Sequence, residues 1–116
     1  MFKVFAFLVR KPGTTIEAFI DYYENHHVPL ICSLAPPPTT YKRNYLKRGD
    51  KNNLEDGSIG FDVVTEQVWP DEATFRAWVG KLAEPGTAEK VDADERRFLD
   101  KSRYWAYVID EHQTSK

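Results

Sequence analysis

A chain of 116 residues with a net charge of -2 has the size of one domain and carries no basic excess for binding nucleic acid. Its 41% hydrophobic and 14% aromatic residues predict a folded protein with one core. No apolar run approaches the ~20 residues that span a bilayer, and the amino terminus lacks signal-peptide features, so we expect no membrane partner and a cytoplasmic location. The single cysteine, Cys32, excludes an internal disulfide and is expected to be buried or half-buried.

The first third of the chain predicts a strand followed by an amphipathic helix. Phe2 to Arg10 is apolar at odd and even positions alike, which is typical of a strand covered on both faces. The stretch KPGTTIEAF predicts a turn and a capping box, with Thr14 as the N-cap and Glu17 three residues later. The prolines of APPPTT end the helix. Its apolar positions recur at helical spacing and predict one buried stripe: Ile16, Phe19, Ile20, Tyr23 and Leu30.

Two further strands are expected in the middle of the chain. The first is placed at residues 40–47 and the second at 61–69, where Val, Thr and Phe predominate. Between them lies the polar, turn-rich stretch RGDKNNLEDGSIG, residues 48–60. We expect this segment to be a hairpin loop and the most mobile part of the molecule.

The last part of the chain predicts two helices and a fourth strand. Pro70 and Asp71 introduce a helix, and a second helix is expected to be capped by Thr87 and to end near Leu99. The stretch RYWAYVID predicts the strand, and residues 110–116 form a polar tail that is expected to fray. The first of these helices has its own apolar stripe: Phe75, Trp78, Val79 and Leu82.

The predicted order of elements is βαββαβ within a single domain, residues 1–116. This order is typical of the α+β ferredoxin-like fold, a four-stranded antiparallel sheet with both helices on one face. The helix-free face of the sheet also needs a cover, because the first and last strands are apolar on both sides. A second copy of the chain is the simplest cover, so we expect a homodimer.

Several motifs resemble the EthD-domain family. The opening KPGTTIEAFIDYYENHHVPLI is similar to the family pattern of a turn, an amphipathic helix and an Asn-x-His-x-Pro-Leu segment, here Asn25 to Leu30. The similarity continues through YKRNYL, through Glu66 in TEQVWPDEATFRAW and through DADERRFLDKSRYWAYVIDEH. The resemblance implies a dimeric α+β barrel with one cavity per subunit. It also implies steps in the breakdown of organic compounds or in polyketide tailoring, typically without a metal or an organic cofactor.

His27 is the candidate catalytic residue. It lies within the apolar stripe of the first helix, and an imidazole that titrates near neutrality can act as a general acid or base. Pro29 removes a backbone donor, which favours a helix irregularity of the kind found at functional sites. The structural alternative is a core histidine bonded to the freed carbonyl. His26 is expected at the rim, and adjacent helical histidines diverge too far to share a metal ion.

Other polar and aromatic residues are candidates for binding a substrate. Tyr23 and Trp78 are candidates for the cavity wall, with ordinary core packing as the alternative. Asp62 and Asp94 are candidate proton partners for His27, and the alternative for each is a loop cap, an ion pair or a solvent-facing side chain. Asn44 matches the position in the family, so we expect it to face the ligand. Tyr45, its neighbour on the strand, is then expected on the dimer side.

These observations predict a small cofactor-independent lyase, cyclase or isomerase. Its expected partner is a small hydrophobic molecule that bears a carbonyl or hydroxyl group, and its chemistry is proton transfer by His27. Asn44 or Asp62 is expected to assist as the hydrogen-bond partner of a developing enolate. A non-catalytic accessory or ligand-binding protein of a degradative pathway is the main alternative, and heme binding through His27 is a third.

Overall fold

The computed structural model describes residues 1–115 of the chain. Phe2–Arg10 forms the first strand, as predicted, and the other elements follow in the expected order. In chain order they are β1 Phe2–Arg10, α1 Ile16–Tyr22, a π-helical turn Tyr23–His27, α2 Val28–Leu34, β2 Thr40–Tyr45, β3 Val63–Trp69, α3 Glu72–Leu82, α4 Thr87–Glu95 and β4 Leu99–Val108.

The four strands of the described chain form one antiparallel sheet with the order β2-β3-β1-β4. This is the ferredoxin-like arrangement, so the predicted fold class is confirmed. β1 is central because it is apolar on both faces; Phe7 lies opposite Val64 on one side and Trp105 on the other. β4 begins earlier than predicted, since Leu99 pairs with Arg10 instead of ending a helix.

The predicted helix caps were each wrong by one residue. Thr15, not Thr14, caps α1, because its Oγ1 accepts from the backbone N–H of Ala18 at 3.1 Å. Thr14 instead donates its N–H to Lys11 and closes the preceding turn. At α4 the cap is Gly86, whose φ of 88° lies in the left-handed region that favours glycine.

The predicted helix irregularity is confirmed between α1 and α2. The backbone N–H of Val28 donates to the carbonyl of Tyr23, five residues earlier, and Pro29 follows with no N–H to donate. The π-helical turn adds one residue to the helix repeat. As a consequence Ile31 is buried beyond the turn, whereas the regular spacing predicts Leu30, which is only half-buried.

The two faces of the sheet differ in their contacts. Ala6 and Leu8 of β1 face the helices and belong to the core cluster, so the alternating residues Phe5 and Phe7 face the other way. We call this second face the outer face; it is formed by Phe5, Phe7, Val64, Trp105 and Tyr107. The core cluster consists of Ala6, Leu8, Phe19, Tyr23, Val63, Phe98 and Leu99.

Two further expectations were wrong. Tyr45 lies on the helix side, where its ring packs edge-on against Phe19 and Tyr23 at centroid distances of 6.2 and 6.1 Å. Neighbouring residues of a strand point to opposite faces, so Asn44 points away from the helices and Tyr45 does not lie on the expected dimer side. Cys32 is exposed, since it lies off the buried stripe of its helix.

Beyond β4, residues 109–115 have no helix or strand, and Lys116 at the end of the predicted tail lies outside the described residues. Within residues 1–115, no helix combines the length and the apolar character that crossing a membrane requires.

A charged contact joins the π-helical turn to the sheet. Arg43 of β2 donates to the carboxylate of Glu24 through Nε at 2.9 Å and Nη2 at 2.5 Å, and the Tyr45 hydroxyl donates to the same carboxylate at 2.5 Å. The Arg43 hydrogen bonds hold the pKa of Glu24 below its ordinary value. The ionised carboxylate therefore stabilises the packing of the turn on the sheet.

Replacing Glu24→Gln should lower the free energy of unfolding by about 1 kcal/mol near pH 7, because the charge-assisted contact is lost while the site is only partly screened by solvent. A carboxyl pKa that is lower in the folded state contributes stability above its ordinary value of 4.5, and this contribution disappears as the pH falls through the folded value. Urea unfolding at several pH values should therefore show the two proteins converging in acid.

The control is Glu84→Gln, because Glu84 makes an exposed pair with Lys81 at 3.8 Å and should contribute little at any pH. A Glu24→Gln deficit of the same size at every pH would contradict the electrostatic origin of the contact.

Candidate functional site

A cavity of about 270 Å³ lies between the helices and the sheet. It is bounded by β1 and β3 beneath, by the π-helical turn on one side, and by α3 and α4 above. Its wall is mostly apolar, and its polar groups come from His27, Thr65, Gln67, Glu95 and three tyrosines. This combination of a mostly apolar wall and a few polar groups is typical of a small-molecule site. The tyrosines are Tyr23, Tyr41 and Tyr104.

His27 is held in the cavity wall by a carboxylate from another element. Its Nδ1 lies 2.7 Å from Oδ2 of Asp94 on α4, and only 5% of the residue is exposed. The hydroxyl of Tyr22 donates to the other oxygen of Asp94 at 2.6 Å. The imidazole also packs against Phe98, with a centroid distance of 4.9 Å. Asp94 therefore fixes the orientation of the ring from outside the cavity.

The second ring nitrogen of His27 is available to a ligand. In the described chain, the enclosed side-chain nitrogens without a hydrogen-bond partner are Nε1 of Trp69 and Nε1 of Trp78. His27 lines the cavity and its contact with Asp94 engages only Nδ1, so Nε2 is the ring nitrogen left for a ligand. An aspartate on Nδ1 sets the tautomer that leaves a lone pair on Nε2.

The phenol groups around His27 stay protonated at neutral pH. Burial raises the pKa of Tyr23 and Tyr41 above the ordinary value of 10. The pKa of Tyr104 is raised by partial desolvation and by the Glu95 carboxylate, although 44% of this residue is exposed. Tyr22, behind the histidine, has its pKa raised to about 12 by burial and by its hydrogen bond to Asp94. The hydroxyls of Tyr23 and Thr65 lie 2.6 Å apart and share a hydrogen bond. The cavity thus presents neutral hydroxyls that can donate to an oxygen atom.

The residues that the sequence singles out are only partly brought together. His27, Tyr23 and Trp78 line the cavity, and Asp94 contacts His27 from behind, as expected for a proton partner. Their roles in binding or catalysis stay predictions. His26 is exposed and stacks on Tyr22, with a centroid distance of 4.9 Å.

The expected positions of Asn44 and Asp62 near His27 were wrong. Asn44 is exposed, and its amide donates to the carbonyl of Val64 at 3.1 Å, because the even-numbered residues of β2 face away from the helices. Asp62 is buried at a different place. Its carboxylate accepts from the N–H of Arg10 at 2.8 Å and from Arg48 at 2.7 Å, so it anchors the 46–62 loop.

Other cavity residues could not be singled out from the sequence. Thr65 and Gln67 are polar at alternate positions of β3, which indicates that they share one face of the sheet. The pattern does not indicate whether that face is the one covered by the helices. Tyr41, Glu95 and Tyr104 look like ordinary surface or core residues until the fold brings them together. Among residues 1–115, no group of three or more His, Cys, Asp or Glu side chains is arranged to hold a metal ion.

Solved structures with the same fold are similar to the chain over nearly its whole length. An ethyl tert-butyl ether d (ethd) family protein from Bacillus halodurans is 17% identical, covers 97% of this chain and 100% of its own, and has a TM-score of 0.63. A dimeric ferredoxin-like protein of unknown function from Thermobifida fusca is 16% identical, with 93% and 88% coverage and a TM-score of 0.53. Hydroxynitrile lyase from Passiflora edulis is 18% identical, with 97% and 96% coverage and a TM-score of 0.52.

No curated protein matches the chain. The family model of the EthD domain matches residues 11–102, which include the π-helical turn, β2, β3, α3 and α4. The matched region holds His27, Asp94 and most of the cavity wall. The chain therefore belongs to the EthD-domain family.

Proposed function

We propose that this protein is a small cytoplasmic enzyme that needs no cofactor and transfers a proton on a hydrophobic metabolite bearing a carbonyl or hydroxyl group. The observation that carries the proposal is the His27–Asp94 pair in the cavity wall, with Nδ1 held at 2.7 Å and Nε2 left for a ligand. A base of this kind suits a lyase, a cyclase or an isomerase. The fold similarity to a hydroxynitrile lyase supports the first of these classes.

The proposed proton transfer takes place at Nε2 of His27. Asp94 accepts the Nδ1 proton, so Nε2 removes a proton from the substrate and the ring becomes an imidazolium that the carboxylate stabilises. The same nitrogen returns the proton to a new carbon atom or to the leaving group. Negative charge that develops on a substrate oxygen is met by the hydroxyls of Tyr41 and Tyr104. These phenols replace Asn44 and Asp62 in the role expected from the sequence.

The proposed enzyme is a homodimer formed through the outer face. Phe7 packs edge-on against Tyr107 at a centroid distance of 6.2 Å, and Tyr107 and Trp105 remain 61% and 42% exposed in the single chain. A contiguous aromatic surface of this kind is typical of a protein interface. The Thermobifida fusca protein of similar fold is itself described as dimeric, which supports the proposal.

His27→Gln should abolish proton transfer while the fold is kept. A test that does not require the natural substrate follows deuterium incorporation next to the carbonyl of phenylacetone in D₂O by ¹H NMR. The wild-type protein should accelerate this exchange, and the variant should lose a factor of about 10² to 10⁴, as is usual for a general base.

His26→Gln is the matched control, because His26 is an exposed neighbour on the same turn and should leave the exchange rate unchanged. Phenylacetone that binds without exchange in the wild type would favour the accessory-protein alternative. A Soret band that appears on adding heme and is lost in His27→Gln would favour heme binding.

Asp94→Asn should reverse the tautomer of His27. A carboxamide can donate to Nδ1, which moves the ring proton to Nε2 and removes the lone pair that faces the cavity. We expect the imidazole ¹⁵N shifts near pH 8 to report a protonated Nδ1 in the wild type and a protonated Nε2 in the variant. Exchange of phenylacetone should fall with it.

Asp92→Asn serves as the control, because Asp92 lies on the same helix but contacts Arg96 and Lys101 instead of His27. Identical imidazole shifts in the wild type and in Asp94→Asn would contradict the assignment of Asp94 as the positioning residue.

Combining Trp105→Arg with Tyr107→Arg should convert the dimer to a monomer, because four charges are brought together across the symmetric outer face. Sedimentation equilibrium should give twice the chain mass of 13.5 kDa for the wild type and the chain mass for the variant. Leu54→Arg changes a fully exposed apolar residue elsewhere and should leave the dimer intact. A wild-type protein that sediments as a monomer would overturn the proposed interface.

A further inference from the structure

We propose that Glu95 makes the cavity selective for uncharged ligands over carboxylates of the same shape. The inference rests on the proposed function in one respect, since it takes the His27 cavity as the ligand site. Beyond the proposed function, the inference names the class of substrate and the residue that selects it.

The charges around the cavity are unequally placed. In the part of the chain that the structure describes, the cavity wall contains no lysine or arginine, and Glu95 is its one carboxylate. Only 12% of the Glu95 side chain is exposed, and its charge acts on the hydroxyl of Tyr104 in the same wall. The other nearby carboxylate, Asp94, lies behind His27.

The cation nearest to Glu95 is held away from the ligand. Nζ of Lys101 binds the Glu95 carboxylate, lies 3.5 Å from Asp92 and stands over the ring of Tyr104 at 5.7 Å from its centroid. Lys101 does not line the cavity, so its three contacts keep its charge outside. The other nearby cation, Arg43, stacks on Tyr41 at 4.9 Å from the ring centroid and is paired with Glu24, so neither cation is free to pair with an anionic ligand.

Burying a carboxylate without a positive partner is costly, because the ion loses its hydration and gains no ion pair. A neutral carbonyl or amide oxygen avoids this cost and accepts hydrogen bonds from the protonated phenols of Tyr41 and Tyr104. The cavity wall therefore favours a neutral ligand for two reasons. Its hydroxyl groups donate to a neutral oxygen atom, and it has no lysine or arginine to pair with an anion. The ligand class inferred is an uncharged, oxygen-bearing compound, and the cavity of about 270 Å³ limits it to about one ring.

Benzamide and benzoate test this inference, since they share shape and differ in charge near neutral pH. Binding to the full chain is measured from the His27 imidazole signals by NMR titration. In the wild type benzamide should bind at least about tenfold more tightly than benzoate, because the carboxylate loses its hydration without gaining an ion pair. Glu95→Gln should reduce this ratio about tenfold.

Two further variants keep the test decisive. Asp92→Asn removes an equal charge from the same helix and another contact of Lys101, yet lies outside the cavity, so the ratio should stay at the wild-type value. Lys101→Met leaves Glu95 without its cation and should widen the ratio. The opposite effects of the Glu95 and Lys101 variants separate a charge effect from a general loss of folding.

Equal or tighter binding of benzoate in the wild type would overturn the inference and leave the proposed proton transfer standing, because phenylacetone exchange is measured independently. Equal changes in Glu95→Gln and Asp92→Asn would overturn the role of Glu95. If neither probe moves the His27 signals up to its solubility limit, the cavity is not a site for one-ring ligands and the inference is wrong.

Discussion

The arrangement of the site depends on one backbone constraint, the missing N–H of Pro29. The helix accommodates this missing donor with a π-helical turn. In this turn the N–H of Val28 donates to the carbonyl of Tyr23, so the hydrogen bond spans five residues instead of four. Tyr23 and His27, four residues apart, share the buried side of this turn, as they would in a regular helix. The extra residue of the turn changes the face presented by the residues that follow, and Ile31 is the next buried one.

Three contacts fix the turn to the rest of the molecule, and each comes from a different element. The hydroxyl of Tyr23 meets Thr65 on β3, Glu24 binds Arg43 on β2, and His27 binds Asp94 on α4. Two of them are charge-assisted, and such contacts position side chains more precisely than apolar packing does. The histidine is therefore rigid before any ligand arrives, which is the arrangement that general acid or base catalysis requires.

Much of the fold could be predicted from patterns within single elements. The two-sided apolar character of β1 indicated a central strand, and the βαββαβ order then left few topologies for four antiparallel strands. The misplaced caps at Thr14 and Thr87 show where such patterns fail. Where two threonines are adjacent, or a threonine follows a glycine, either residue can serve as the N-cap on local grounds. The turn that precedes each helix decides which of the two does so.

The sequence by itself determined the fold class, the family and the candidacy of His27, because strand alternation, helical spacing and the Asn-His-His-Val-Pro-Leu segment are all local. Only the tertiary structure decided the partners of His27. Asp94 lies 67 positions away along the chain, and the face on which Asn44 and Tyr45 point depends on the pairing of β2 with β3. A shift of one residue in that pairing exchanges the two faces of a strand. The sequence of the strand alone does not indicate which of these faces the helices cover.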